Sequence, residues 1–301
     1  MSERIVTLGS CYVDINVANF PVGPQGIPLE SELIGGDYEL IAGGSAVNFC
    51  RKISELGILK PNFLGVVGND EMGEMVEKLL GRDGTDSLLL KHDGVRTAVS
   101  FNMTSGTGQH VIVVAGTANA HMDESILPNL DVELQGARYL YLGGAFKLKK
   151  LQPYFSEVVR IATVHGAQIV VDHGRVPEGS SKEEITAVRE LVLASQIYLP
   201  SRDEFVKLWD VSTTEEGMAL LRQYVPDIAI AVKDGSSPVR YESANESGSV
   251  QPPTVEAVGD VTGAGDTFNA GLLSELAGGK SLAEAVTSGC EIAAKKIAKK
   301  M

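Results

Sequence analysis

Residues 259–271 read Gly-Asp-Val-Thr-Gly-Ala-Gly-Asp-Thr-Phe-Asn-Ala-Gly, and a helix-forming run extends from Thr267 to Ala277. A glycine-rich turn that feeds a helix aims several free backbone N–H groups at one spot, where the helix dipole adds partial positive charge. That spot suits a phosphate, and Gly263 and Gly265 leave its approach open. Asp266 cannot be there to bind phosphate, because like charges repel. A carboxylate at this place is suited to take a proton from an attacking hydroxyl. An anion hole beside a general base describes a phosphoryl-transfer site.

The elements around this stretch must position it. The chain has 301 residues, 44% of them hydrophobic and 22% charged, which is ample for one large soluble α/β unit. A net charge of −13 argues against nucleic acid or an anionic membrane as partner. Cys11, Cys50 and Cys290 form no CxxC pair and read as reduced, buried thiols of a cytoplasmic protein. Ile5–Leu8 reads as a first strand, no signal peptide is visible, and no apolar run is long enough for a membrane helix.

After that strand comes Ser10-Cys11-Tyr12-Val13-Asp14. A strand's C-terminal end faces the ligand crevice in parallel α/β sheets, so Asp14 is either a ligand contact or a turn aspartate. Residues 19–44 are rich in Pro and Gly, with strand-like pieces near Leu33 and Tyr38–Ile41. The period turns helical after Gly43-Gly44-Ser45 and stops at Gly57; Asn48, in the first turn, either reaches a ligand or faces solvent. Phe63–Gly68 is a second strand, and Asp70 is a turn or N-cap residue before a helix from Met72 to Leu80. Residues 96–115 alternate around Ser105-Gly106-Thr107-Gly108 as a hairpin, which with residues 12–42 is expected to form a small β-sheet lid.

From Tyr139 the rhythm is strand–helix–strand: strands at 138–142, 168–172, 196–199 and 228–232, helices at 153–165, 183–194 and 215–224. Asp172 stands at a strand tip, and Ser243–Ser249 reads as a polar loop. This alternation predicts a doubly wound, mainly parallel sheet with helices on both faces, in a single domain over 1–301. The terminal lysines follow an alanine-rich helix and suit its C-terminus. Gly278-Gly279-Lys280-Ser281 is no P-loop, since Ser274 stands where a glycine is required, and Phe268 breaks a dinucleotide fingerprint at Gly263-x-Gly265. The five histidines have no metal-ligand spacing.

Asp260-Val261-Thr262-Gly263-Ala264-Gly265-Asp266-Thr267-Phe268 resembles the C-terminal signature of the PfkB, or ribokinase-like, carbohydrate kinases. Gly43-Gly44-Ser45-Ala46-Val47-Asn48 resembles their N-terminal signature, and Gly65–Gly73 and Gly116–Ala120 resemble further family segments in the same order. The resemblance implies ATP-dependent phosphorylation of a small sugar of the ribose, fructose or ketodeoxygluconate type. Asp266 would be the base, and Gly263, Ala264 and Gly265 the anion hole. Asp14, Gly43, Gly44 and Asn48 would hold the substrate hydroxyls, while Lys233, Gly235 and Ser236 would sit by the nucleotide. Mg²⁺ would ride on the ATP phosphates, with a monovalent cation such as K⁺ near the anion hole, and a homodimer could form through the lid.

Some residues depart from the family pattern. Ser201 stands where an Asn-x-x-Glu motif has its asparagine, while Glu204 remains and would serve Mg²⁺ indirectly; Ser201 is then a nucleotide contact. Gly143-Gly144 lacks the acidic residue used on ribose. Asp172-His173-Gly174-Arg175 is weakly similar to an Asp-Pro-Asn-x-Arg stretch, which makes Arg175 either a contact to an anionic substrate group or a surface arginine. Two alternatives stay open. One is a nucleoside kinase, with Tyr12, Phe101 and Met103 around a base; the other is a catalytically silent sugar-binding relative.

Overall fold

The computed structural model describes residues 3–18, 37–105, 110–256 and 261–298. The Leu33 piece, the glycine turn of the hairpin, Gly259-Asp260 and Lys299-Lys300 lie outside the described residues. The chain begins with β1 (Glu3–Gly9), β2 (Tyr12–Val17) and β3 (Tyr38–Gly43), then α1 (Ser45–Leu56), β4 (Leu59–Gly68), α2 (Glu71–Arg82) and β5 (Asp86–His92). The hairpin β6 (Val99–Thr104) and β7 (His110–Ala115) precedes α3 (Leu127–Glu133), β8 (Ala137–Gly143), α4 (Phe155–Val164), β9 (Gln168–Asp172), α5 (Lys182–Leu193) and β10 (Ile197–Tyr198). The chain continues with α6 (Arg202–Trp209), α7 (Thr214–Tyr224), β11 (Ala229–Asp234), β12 (Ser237–Glu242), β13 (Ser247–Val250), α8 (Ala264–Ala277) and α9 (Leu282–Ile297).

A nine-stranded sheet runs β13-β12-β11-β10-β9-β8-β1-β4-β5. Pairing is parallel from β5 to β11, and only β12 and β13 are antiparallel. The strand order reverses between β1 and β8, and this switch point is where ligands bind in doubly wound sheets. Side-chain alternation in β1 shows why two helical layers are needed. Val6 and Leu8 pack with Val158, Leu191 and Leu208 of α4–α6, whereas Ile5 packs with Phe49, Phe268 and Leu272 of α1 and α8. The predicted doubly wound architecture is therefore present.

The small sheet is separate, in the order β3-β2-β6-β7. β2 pairs antiparallel with β3 and parallel with β6. Asp14 lies within β2, not at the tip of a main-sheet strand as the sequence suggested. Between β1 and β2 the chain passes from the large sheet to the small one through Ser10 and Cys11 alone.

Four elements have weak signals in sequence: β5, α3, α6 and the β12–β13 ribbon. The expected loop at Ser243–Ser249 is corrected, because Ser247–Val250 pairs with β12 at the sheet's edge. Its residues are polar because an edge strand buries little. Asp70 is the N-cap of α2, accepting from the Gly73 N–H. Cys11, Cys50 and Cys290 are free and buried. No helix among the described residues is long and apolar enough to cross a membrane.

Asp70 ties α2 to the approach of β6, since its carboxylate also accepts from the Thr97 backbone N–H (3.0 Å) and hydroxyl (2.6 Å). Burial alone would raise its pKa, but these hydrogen bonds with that of Gly73 outweigh it and hold the carboxyl below its usual range. Asp70→Ala is expected to cost roughly 1–3 kcal/mol. A group with a depressed pKa stabilises above its unfolded pKa, so the deficit should shrink as the pH falls below about 4. Urea unfolding at pH 7 and pH 3.5 measures both effects.

Candidate active site

α8 starts at the sheet's C-terminal edge. Gly263 is its N-cap at φ 72°, a left-handed conformation that other residues adopt at a cost. A Cβ there would also sit 3.2 Å from the Asn48 amide nitrogen. Asp266 therefore falls in the first turn, where the N–H groups of residues 264–266 have no partner inside the helix. α1 begins at the same place. Its first-turn residues Ser45 and Asn48, three apart, share one face. Ser45 Oγ donates to Asp266 Oδ1 at 2.6 Å, and Asn48 Nδ2 donates to Oδ2 at 3.0 Å. Both carboxylate oxygens are thus fixed, and two helix N-termini converge on one point.

The Asp266 carboxyl is pushed up to about 6. Burial is the main cause and the nearby Asp172 carboxylate adds to it, while Ser45, Asn48 and Lys233 oppose. Asp266 is half-buried, yet protein crowds it on nearly every side but the cleft. A base poised near neutrality can accept a proton without being protonated beforehand at pH 7.

Beneath lies a fixed polar cluster. Lys233 Nζ, from the tip of β11, donates to Asp172 Oδ2 at 2.9 Å and to Asn269 Oδ1 at 2.9 Å. Asn269 Nδ2 donates to Asp172 Oδ2 (2.6 Å) and to the Tyr141 hydroxyl (3.1 Å). Tyr141 stacks on Phe49 with ring centroids 3.7 Å apart. Desolvation would raise the pKa of the buried Asp172, but the Lys233 ammonium keeps it low.

A cleft of about 740 Å³ opens along this edge. It is lined by Gly263, Ala264, Gly265 and Asp266, by Ser201, Lys233, Gly235 and Ser236, by Glu204 and Arg175, and by Ser45 and Lys147. One end is apolar, with Val239, Pro253, Cys290, Ala293, Ala294 and Ile297. Asp14, Gly43, Gly44 and Asn48 are not wall residues of this cleft; they lie behind it on the side of the small sheet. Gly43 has a steric reason to be glycine, because any Cβ there would collide with the Asp14 carboxylate. That carboxyl also titrates at about 6, raised by burial and lowered by Lys147, Arg51 and Asn102. The Lys147 ammonium lies over the Tyr12 ring, 5.0 Å from its centroid.

Two placements refine the sequence reading. Asn48 points its amide at Asp266, so its first task in this structure is to orient the carboxylate. Ser201 and Glu204 are N-cap and third residue of α6, and Glu204 Oε2 accepts from the Ser201 N–H at 2.9 Å. The Ser-x-x-Glu spacing is a capping box, a signal that could have located α6. Ser45, Asn269 and Lys147 were not singled out in the sequence, because their spacing to partners carries no local pattern.

The pfkB family carbohydrate kinase model matches residues 2–301. The chain belongs to the pfkB family of carbohydrate kinases. Two curated relatives of this carbohydrate kinase are Ribokinase of Haemophilus influenzae, 24% identical over 100% of this chain and 94% of its own, and Probable fructokinase-4 of Arabidopsis thaliana, 28% identical over 80% and 75%. The same fold is found in a provisionally named Ribokinase II from E.coli, solved in complex with ATP and Mg²⁺, at TM-score 0.80 and 22% identity over 100% of this chain and 94% of that one. The protein is thus a phosphotransferase acting on a carbohydrate.

The raised Asp266 carboxyl has a consequence for stability in this kinase. Unfolded aspartate titrates near 4 and the folded group at about 6. Between these values the native state holds more protons, so stability falls as the pH rises. Asp266→Asn escapes that loss. Its Tm should exceed wild type at pH 7.5, with the gain shrinking toward pH 5. Thermal unfolding followed by circular dichroism at both values checks this, and a lower Tm at pH 7.5 would count against it.

Proposed function

We propose that this kinase transfers the γ-phosphoryl group of Mg-ATP to a hydroxyl of a small sugar, with Asp266 accepting the hydroxyl proton. The observation that carries this is the two-handed hold of Ser45 and Asn48 on Asp266 at the head of α8. A carboxylate fixed and raised at an anion-binding helix terminus has little use in a protein that only binds sugar. The N–H groups at Gly263, Ala264 and Gly265 would receive charge developing on the phosphoryl oxygens, with the Ala264 N–H, which donates to the Val261 carbonyl at 3.1 Å, having to turn from it or share. The apolar end near Ala293 and Ile297 suits an adenine ring, with Ser201, Gly235 and Ser236 along the nucleotide.

Among the described residues no three His, Cys, Asp or Glu side chains cluster to hold a metal. Glu204 commits one oxygen to its helix cap. This donor set fits Mg²⁺ that arrives on the ATP phosphates and keeps its waters, with Glu204 touching it only indirectly. The metal would supply neutralisation of phosphate charge. A monovalent cation such as K⁺ near Gly263–Gly265 is part of the same reading.

The acceptor would lie between Asp266 and Asp14, under the small sheet acting as a lid in the single domain. Lys147 and Arg175 are both exposed on the cleft wall. In a chain of net charge −13 these two cations favour an acidic keto sugar of the ketodeoxygluconate type over ribose or fructose. A nucleoside is disfavoured, since the Lys147 ammonium covers the Tyr12 ring and Phe101 is 40% exposed. Three buried free thiols suit a reducing cytoplasm.

An ADP-release screen over pentoses, hexoses, sugar acids and nucleosides with Mg-ATP tests the reading, run in K⁺ and in Na⁺. Asp266→Asn should lower kcat roughly 10²–10⁴-fold with ATP binding retained. The kcat/KM profile should have an acid limb near 6, with a slope between one and two because Asp14 titrates there as well. No ADP from any acceptor would favour the silent relative.

The lid's outer strand also supports a homodimer. β7 is an edge strand, and Ile112, Val113 and Val114 are 50%, 48% and 54% exposed. A bare apolar edge invites pairing with a second copy. Light scattering should give twice the chain mass, and Val113→Lys should give the monomer.

A further inference from the structure

We infer that Lys233 is a catalytic residue, the cationic third side of the anion hole, which contacts the phosphoryl group in flight and not merely the nucleotide's edge. The inference rests on the kinase reading above and deepens it. A lysine ammonium has three N–H donors. Two are used, on Asp172 and Asn269, and the third has no partner among the described residues, although Lys233 lines the cleft.

The ammonium's location is electrostatically odd. A Cβ built on Gly265 would lie 3.6 Å from Lys233 Nζ, so the cation sits against the first turn of α8. Cations are disfavoured at a helix N-terminus, which is already positive. Asp172 compensates part of this. An anion between the helix terminus and the ammonium would turn the remaining repulsion into attraction from both sides.

The ammonium is also rigid. Asn269 holds it with one end and is itself held by Tyr141 and Asp172 with the other. A charge so fixed needs no reorganisation when the transition state forms. Were Lys233 present only for the fold, the buried pair with Asp172 would be a poor device, since such pairs give little net stability over apolar packing.

In the transfer, the acceptor oxygen forms a bond to Pγ while the bond from Pγ to the β,γ-bridging oxygen breaks. The bond's electron pair stays on ADP, and the acceptor proton passes to Asp266. Lys233 would donate its third N–H to a non-bridging oxygen of the moving group.

Lys233→Met alone leaves Asp172 buried and unpaired, so Asp172→Asn and the double variant Lys233→Met/Asp172→Asn are needed. With wild type active toward an acceptor identified by the ADP-release screen, Asp172→Asn should lose about tenfold in kcat, because the lysine is less firmly held. The double variant should regain the Tm lost by Lys233→Met, yet fall a further 10²-fold or more in kcat below Asp172→Asn. Its acceptor KM should stay within about threefold, as expected for an interaction made in the transition state. A double variant with the kcat of Asp172→Asn would overturn the inference and leave the kinase reading intact. A folded wild type that releases no ADP with any acceptor would overturn both.

Discussion

Two carboxylates, Asp266 and Asp172, approach the same helix terminus, and one ammonium must serve both. The rest of the site follows from that balance. Burial and mutual repulsion press Asp266 toward protonation, while Ser45 and Asn48 hold it ionised. Asp172 stays charged because Lys233 lies 2.9 Å away. The outcome is a carboxyl titrating near 6 beside a locked cation, in a place where helix dipoles would otherwise attract any passing anion.

The sheet makes this balance possible. Asp172 and Lys233 stand at the C-terminal tips of β9 and β11, and β10 between them ends early, at Tyr198. Residues 199–201 still bond to both neighbours, so the two side chains meet above the sheet, against Asn269 of α8. α8 returns to the same edge after the β12–β13 ribbon, and α1 leaves it directly after β3. Neither helix has to bend to bring its N-terminus to the site.

Much of this was legible in the chain. Long periodic stretches such as α1 and α4 announce themselves, as do buried strands such as β4 and β9. The glycine turn at Gly263–Gly265 pointed to a helix N-terminus, which the structure has at α8, and the following aspartate is the one that Ser45 and Asn48 hold. What stayed hidden is tertiary. Ser45 and Asp266 are 221 residues apart and no local spacing links them. β5, β12 and β13 lie at or near the sheet's edges, where one-sided burial and polar residues erase the alternation that marks inner strands. Lys233 was visible as a cleft residue, but its direction depends on Asn269, whose helical neighbours give it an ordinary appearance. Asp14 was read from its place just after β1, and it falls within β2 of the small sheet because only Ser10 and Cys11 separate the two strands.

The junction of β3 and α1 carries a mechanical consequence. Gly43 ends the strand, Gly44 caps the helix and Ser45 already grips Asp266. There is no slack between the small sheet and the hydroxyl that holds Asp266. A rocking of that sheet would turn the first turn of α1 and slide Ser45 along the carboxylate. The position of the small sheet and the hold on Asp266 are thus geared together, like a latch fixed to its door.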